Sequence, residues 1–372
     1  MIRKILATCV VLNTFYVGFS QTNNIEQIKS DTIVPATIVS EEAKPATTIT
    51  GSVDVYYRYN FANVPGYLHS NNFTSFTNSQ NSFELGMASI KADHNFGKAS
   101  ATIDLGFGRR AEEFSYADPG HSTLFAAKQA YLSYAISDKF KLTMGKWATH
   151  IGYELVDAYL NRNYSMSYMF SYGPFSHTGL KADIGLGGKS TLMVGVANTS
   201  DTVSSSVSPK FLIGQFGTAS ADNKFKAYLN FQAGSNASFY KLVQGDIVLT
   251  YALTDKFNVG YNGTLQSRKI KDNITNKYAD AKSWWGSALY FNYDPESTFG
   301  LTLRGEYFSD KKSVLGLGTS IFDLTLSPNI KAGNLTIIPE LRLDAAKGKI
   351  FEKNDGTTKS TVTGILAATY HF

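Results

Sequence analysis

The chain has 372 residues, 43% hydrophobic and 17% charged, which is enough for one large domain or two ordinary ones and too apolar for a disordered protein. Its apolar content comes from 25 Phe and 22 Tyr set among 31 Gly, where a helical soluble enzyme would lean on Leu, Ala and Glu, and no run past the N-terminus reaches the ~20 apolar residues of a membrane helix. A net charge of +5 from 35 basic and 30 acidic residues is too even for the concentrated basic face that nucleic acid requires, so no nucleic-acid partner is expected.

Residues 1–20 read as a signal peptide: Arg3 and Lys4, an apolar stretch from Ile5 to Val17, then Gly18 and Ser20. The single cysteine, Cys9, falls inside it, too early in the apolar region to mark a lipoprotein. Residues 21–47, rich in Ser, Thr, Glu and Pro, read as a flexible periplasmic lead-in with no capacity to bury a core. Folding is expected to start at Thr48 and to run to Phe372.

From Ile49 the sequence alternates, with Ile49, Val53, Val55, Tyr57 and Tyr59 on one side and Ser52, Asp54, Tyr56, Arg58 and Asn60 on the other, the period of a strand. The pattern recurs down the chain and predicts strands at 48–61, 83–96, 98–109, 126–136, 140–147, 175–186, 190–198, 210–218, 225–234, 240–253, 257–267, 283–293, 298–308, 316–327, 335–344 and 360–372. A slip of parity between Leu85 and Ala88 predicts a β-bulge, and Pro339 removes one ladder donor. In the runs 49–61, 99–107, 180–186, 225–232, 257–266, 299–307 and 340–344 the apolar side carries no charge. A soluble sandwich puts its polar face in water, whereas Lys or Arg facing lipid at mid-bilayer costs roughly 2 to 4 kcal/mol.

Short turns at Gly97-Lys98, Ser137 to Lys139, Gly187 to Lys189, Asp222 to Lys224, Thr254 to Lys256, Asp294 to Ser297 and Asn329 to Asn334 alternate with longer polar stretches. Phe96, Phe140, Phe225, Phe257, Tyr293 and Phe299 lie beside those turns on the apolar parity, as a belt at headgroup level would. Together these features predict an all-β protein, a transmembrane antiparallel β-barrel of about sixteen strands with short periplasmic turns and longer external loops. The polar parity then becomes a pore wall of Arg58, Lys91, Lys141, Lys181, Lys226, Arg304 and Arg342 interleaved with Asp54, Asp93, Asp104, Asp183, Asp246, Glu306, Asp323, Glu340 and Asp344. Such a mixed lining predicts weak ion selectivity, with Arg304 and Glu306, or Arg342 and Glu340, pairing along the wall. The loops from Arg268 to Lys282 and from Ala345 to Lys359 carry a basic excess, which favours anions mildly at the external mouth.

Of six histidines, His150 and His177 bracket the third loop and could approach each other, but none forms an i, i+2 ligand pair, and neither a metal nor a cofactor is expected. No serine sits in a nucleophile motif, and His177 falls on the inward parity, which argues against an outer-membrane lipase and for a non-enzyme.

The last strand ends Leu366, Ala368, Tyr370, Phe372, and resembles the terminal signal that outer-membrane barrels present to the barrel-assembly machinery. Gly145, Thr149, Ile151, Gly152, Tyr153 and Glu154, followed by Asn161, Asn163, Tyr164, Ser165, Ser167, Tyr168 and the run Gly173 to Gly179, resemble the OmpL-like putative β-barrel porin family of Gram-negative bacteria. The resemblance spans Thr48 to Phe372; it departs at Met166, where a basic residue would be expected. It implies an outer-membrane porin for passive diffusion of small hydrophilic solutes and ions, with a substrate-specific channel or a barrel enzyme as the alternatives. It further implies a homotrimer, contacts with outer-membrane lipid and lipopolysaccharide, and a third loop, residues 147–174, that folds into the lumen. In that loop Tyr153, Tyr164 and Tyr168 would pack on the wall while Glu154, Asp157 and Arg162 face the passage.

Overall fold

The computed structural model describes residues 45–64, 70–117, 126–206, 209–236, 239–272 and 274–372; residues 1–20, read as a signal peptide, most of 21–47, read as a lead-in, Cys9, His69 and His121 lie outside these. In chain order the barrel strands are β1 (Ala46–Asn60), β2 (Ser82–Phe96), β3 (Ala99–Phe107), β4 (Ala127–Ser137), β5 (Phe140–Ala148), β6 (Ser176–Gly187), β7 (Ser190–Ala197) and β8 (Phe211–Ala219). They continue with β9 (Phe225–Asn236), β10 (Tyr240–Ala252), β11 (Phe257–Ile270), β12 (Lys282–Glu296), β13 (Phe299–Ser309), β14 (Ser320–Ala332) and β15 (Leu335–Ala346). A small hairpin, β16 (Phe351–Lys353) and β17 (Gly356–Thr358), interrupts the last long loop before β18 (Ser360–His371).

Each barrel strand pairs antiparallel with its neighbour in sequence, β15 pairs β18, and β18 pairs β1, which closes a cylinder of sixteen strands. Reciprocal bonds between the backbones of Gly51 and Phe372 complete the seam. A closed cylinder has no open strand edge, so every ladder group is paired without help from water.

The alternation read from the sequence holds around the wall, inverted relative to a soluble protein. Leu132 and Met144 are 64% and 68% exposed on the outside, while Arg304, Asp323 and Thr325 are fully buried inside. The bulge is where parity predicts it: Asp54 pairs Met87 and Val55 pairs Leu85, which leaves Gly86 as the extra residue. Pro339 sits in β15 opposite Leu366.

Several boundaries differ from expectation; β11 and β12 each run three residues further, to Ile270 and Glu296. The strand predicted at 316–327 begins at Ser320 and runs to Ala332, because Gly316 and Gly318 hold positive φ and the Asp310 carboxylate accepts from the backbone N–H of Val314, Leu315 and Leu317, locking that segment as a loop. The third strand ends at Phe107; Gly108 (φ 114°) turns the chain into a short helix, Arg109–Phe114.

Apolar cores form where the long loops pack on one another and on the wall. Phe76, Phe114, Val156, Met166, Phe170 and Phe175 form one, from three different long loops. Tyr168, Met169, Trp284, Tyr290, Phe308, Ile321 and Phe351 form another, covered by Phe73, Leu315, Leu317 and Ile350. Met166, which breaks the family likeness, is therefore a core residue of the loop assembly and has no water to solvate a charge there.

Candidate functional site: a loop clamped inside the barrel

The segment between β5 and β6 is the longest connection among the described strands. Local chemistry gives it shape. Asn161 accepts from the Leu155 N–H (3.0 Å) and donates to the Leu155 carbonyl (2.6 Å), pinching off a turn over the 3-10 helix Ala158–Leu160. Ser167 caps the helix Tyr168–Tyr172 by accepting from Phe170 N–H at 3.1 Å.

The loop then makes a circuit of the inward wall. Gly152 N–H donates to Asp246 on β10 (3.0 Å), and Tyr153 stacks on Tyr290 of β12 with centroids 4.1 Å apart. Asp157 reaches Lys128 on β4 (2.5 Å), and Tyr159 stacks on His371 of β18 (4.8 Å). Arg162 forms a two-pronged pair with Asp294 on β12 (2.8 and 2.9 Å), and Asn163 donates to Ser327 on β14 (2.7 Å). Partners on so many inward strand positions place the loop within the lumen. Glycines make room for it: a Cβ at Gly260 would lie 2.7 Å from the Tyr153 ring, and one at Gly86 would collide with Asp54 and the Tyr164 hydroxyl.

Four wall residues grip the loop's second half. Glu340 accepts from the backbone N–H of Tyr164 (2.7 Å) and Ser165 (3.1 Å), and Glu306 accepts from those of Tyr168 (2.7 Å) and Met169 (2.8 Å). Arg304 donates to Glu154 (2.7 Å), Asp323 (2.8 Å) and the Ser165 carbonyl (2.7 Å), while Arg342 donates to Asp344 (2.8 Å) and the Met166 carbonyl (2.7 Å). Tyr164 donates to Asp54 (2.6 Å) and Tyr168 to Asp344 (3.0 Å). Charges taken out of water need partners: Arg304, Arg342, Glu154, Asp323 and Asp344 are ion-paired, and Glu306 and Glu340 are met by backbone N–H donors.

The expected pairings are thus corrected. Arg304 bonds Glu154 and Asp323 and not Glu306; Arg342 bonds Asp344 and Asp323 and not Glu340, because the two glutamates are taken up by loop N–H groups. Glu154, Asp157 and Arg162 do not project into a passage either. Each turns back to the wall, to Arg304, Lys128 and Asp294, since an unpaired charge under a packed loop would lose its hydration. Tyr164 and Tyr168 are buried, with their hydroxyls on Asp54 and Asp344 of the wall.

Of the remaining wall residues, Arg58 donates to the carbonyls of Ser70 and Ser79 and so holds the first long loop. Asp104 meets Lys128 at 3.2 Å, and Asp246 accepts from Asn230 and Asn262. Lys91 with Asp93 (3.2 Å), and Lys141 and Lys181 with Asp183 (both 3.8 Å), lie towards the short-turn end, as does Lys226 on β9, and are not drawn into the clamp. There the side chains of Lys91, Asp93 and Lys141 keep 20%, 33% and 23% of their exposure, which marks where water reaches the wall.

Sequence parity missed two residues. Lys128 reads as outward, but a bulge opposite Asp104 and Leu105 rotates it inward to meet Asp104 and Asp157; a lysine on an otherwise apolar parity was the available signal. Arg110, on the short helix after β3, is fully buried 3.7 Å from Asp54, with its guanidinium against the rings of Phe76 and Tyr164 (4.9 and 5.0 Å). The rings of His150 and His177 do approach, at 5.0 Å, but among the described residues no three ligating side chains gather to hold a metal.

At the loop's exit, Asp201 accepts from the N–H of Phe175 (2.6 Å) and Ser176 (2.8 Å) and lies 3.3 Å from the Tyr116 hydroxyl. Burial outweighs these donors and pushes the Asp201 carboxyl up to about 6.

The family model described as "Putative beta-barrel porin-2, OmpL-like" matches residues 46–372. No curated protein matches the chain. Among solved structures, the anion-selective porin from Comamonas acidovorans superposes with a TM-score of 0.57 at 11% identity, covering 88% of this chain and 100% of that one. The outer membrane channel DcaP of Acinetobacter baumannii gives 0.56 at 12% identity, covering 90% and 99%. The trimer form of OmpT from Vibrio cholerae, folded in vitro, gives 0.58 at 11% identity, covering 89% and 100%. At such identities the likeness is one of fold.

Proposed function

Since the chain belongs to the OmpL-like porin-2 family of β-barrels, and is an outer-membrane porin for passive diffusion, we propose that its clamped third loop is the sieve that sets which solutes pass. The observation that carries this is the circuit of the loop around the inward wall, with Glu306 and Glu340 gripping its backbone. An empty barrel of sixteen strands would leave an aqueous channel wider than small nutrients need. The charges towards the short-turn end are of both signs, Lys91 with Asp93, and Lys141 and Lys181 sharing Asp183, so ion selectivity is weak and leans to anions.

In this reading residues 1–20 are the export signal and 21–47 a periplasmic lead-in, the protein catalyses no reaction, and it works as a homotrimer, as the Vibrio cholerae relative does in its trimer form. The barrel-assembly machinery would insert it through Tyr370 and Phe372, among outer-membrane lipid and lipopolysaccharide.

The test is replacement of residues Tyr153 to Tyr168 by a short Gly/Ser linker. Single-channel conductance in planar bilayers should rise and larger sugars should enter proteoliposomes. Shortening the exposed loop between Ile270 and Lys282 should do neither. If the two deletions behave alike, the third loop is not the sieve.

A further inference from the structure

The outside of the barrel carries one feature that a lipid-facing surface does not require. Lys241 on β10 and Lys269 on β11 stand directly opposite each other in the ladder, both exposed and both on the outward parity with Val243 and Leu265. Like charges directly opposite on one face of a sheet destabilise it, since their Cβ atoms are only about 5 Å apart. Ser235 on β9, opposite Lys241, is uncharged, and on the other side the β11–β12 ladder ends one residue short of Lys269 with Arg268 opposite Lys282, so neither neighbouring strand offsets the pair. The Lys241 ammonium rests over the Tyr278 ring at 4.5 Å, which fixes it at the surface without neutralising it.

The height of the pair identifies what could lie against it. Trp285, outward and opposite Leu265, and Tyr307, its ring partner at 5.3 Å, mark the interfacial aromatic belt on this side of the barrel. Lys269 is four residues beyond Leu265, which is about 13 Å along the strand. With a strand tilt of 35–45° that becomes roughly 10 Å above the belt, at the depth of lipid phosphates. Below the lysines the outward surface is apolar, as acyl chains require.

We propose that Lys241 and Lys269 form a docking site for a phosphorylated glycolipid of the outer leaflet, its phosphate bridging the two ammonium groups and its acyl chains lying along Val243 and Leu265. This rests on the outer-membrane reading above, in which these strand ends face outward, and it names one place on the barrel where lipopolysaccharide is held. A phosphate bridge turns a repulsive cross-strand pair into a cohesive one.

The experiment uses the full-length barrel in detergent and three probes: purified diphosphorylated lipid A, the same glycolipid stripped of phosphate, and inorganic phosphate alone. Native mass spectrometry should find one tightly retained lipid A on the wild type, and the Lys241→Gln/Lys269→Gln variant should bind it at least about tenfold more weakly, given about 1 kcal/mol per basic residue near an anionic lipid surface. Dephosphorylated glycolipid should bind both proteins equally poorly, and millimolar inorganic phosphate should not displace lipid A. Equal retention by wild type and variant, or retention of the dephosphorylated form, overturns the proposal. Both lysines lie outside the lumen, so conductance should match in wild type and variant; absence of conductance in both would defeat the channel reading and leave the lipid comparison standing.

Discussion

Replacing Arg304 by Met should loosen the third loop while leaving the barrel intact. The guanidinium is fully buried and bridges Glu154 on the loop (2.7 Å), Asp323 on the wall (2.8 Å) and the Ser165 carbonyl (2.7 Å). Methionine keeps most of the stem and deletes the charge, stranding Glu154 without a cation. Breaking one side of a buried ion pair costs about 3 to 5 kcal/mol. The low end applies here, because Arg342 still lies 3.3 Å from Asp323. At 1.4 kcal/mol per decade, about 3 kcal/mol is a shift of roughly a hundredfold in the docked-to-undocked ratio of the loop. The carboxylates of Glu306 and Glu340 still hold four loop N–H groups, so the loop should remain mostly docked but open far more often. Single-channel recordings should therefore show added open-channel noise and brief higher-conductance events, and limited proteolysis should nick the chain between residues 153 and 172. Heat-modifiable migration should be unchanged, since strand pairing does not involve the guanidinium. Lys91→Met is the control: it removes a partly exposed pair worth under about 1 kcal/mol and should leave noise and proteolysis as in the wild type. Recordings and cleavage of Arg304→Met identical to wild type would refute the clamp.

Two further outcomes are expected. The Phe372 ring covers Gly51, where an added Cβ would collide with it, and the two backbones bond reciprocally at the seam, so Phe372→Ala should lower the folded, heat-modifiable fraction in the outer membrane, and Gly51→Val should do so too; normal amounts of folded barrel in both would contradict a role for this seam. Asp201 has a folded pKa raised to about 6, above its unfolded value of about 3.8, so the stability it contributes is fully present below about pH 4 and is lost as pH rises through 6. Hydrogen exchange at Phe175 and Ser176, corrected for intrinsic rates, should report tighter protection at pH 5 than at pH 7.5, and Asp201→Asn should abolish that difference; a slope that survives the substitution assigns it to another group.

Much of this protein is written in alternation. Side chains on a strand have period two, and the lipid-facing side tolerates no charge, so sixteen strands, the bulge at Gly86 and the inward charges of β1, β13 and β15 could be read one residue at a time. Short turns were legible for the same local reason, except at Gly333, where β14 runs on to Ala332 because polar and apolar residues continue to alternate through its end. What parity cannot carry is who meets whom across the lumen. Asp54 and Tyr164 are 110 positions apart, and Glu340 and Tyr164 are 176 apart; no local pattern encodes such contacts, which depend on how a loop of irregular backbone crosses a closed cylinder. Local pairing therefore suggested Arg304 with Glu306, but the loop's own N–H groups, unpaired by any ladder and shut off from water, compete for the glutamate and win. The inward turn of Lys128 follows from a bulge that sequence marks only by a lysine on an apolar parity, and the burial of Met166 follows from apolar residues contributed by three loops. Alternation alone dictates the cylinder and which side of it is polar. That the polar side is spent chiefly on holding a loop emerges from the closed fold, because desolvated charges must find partners wherever the wall brings them.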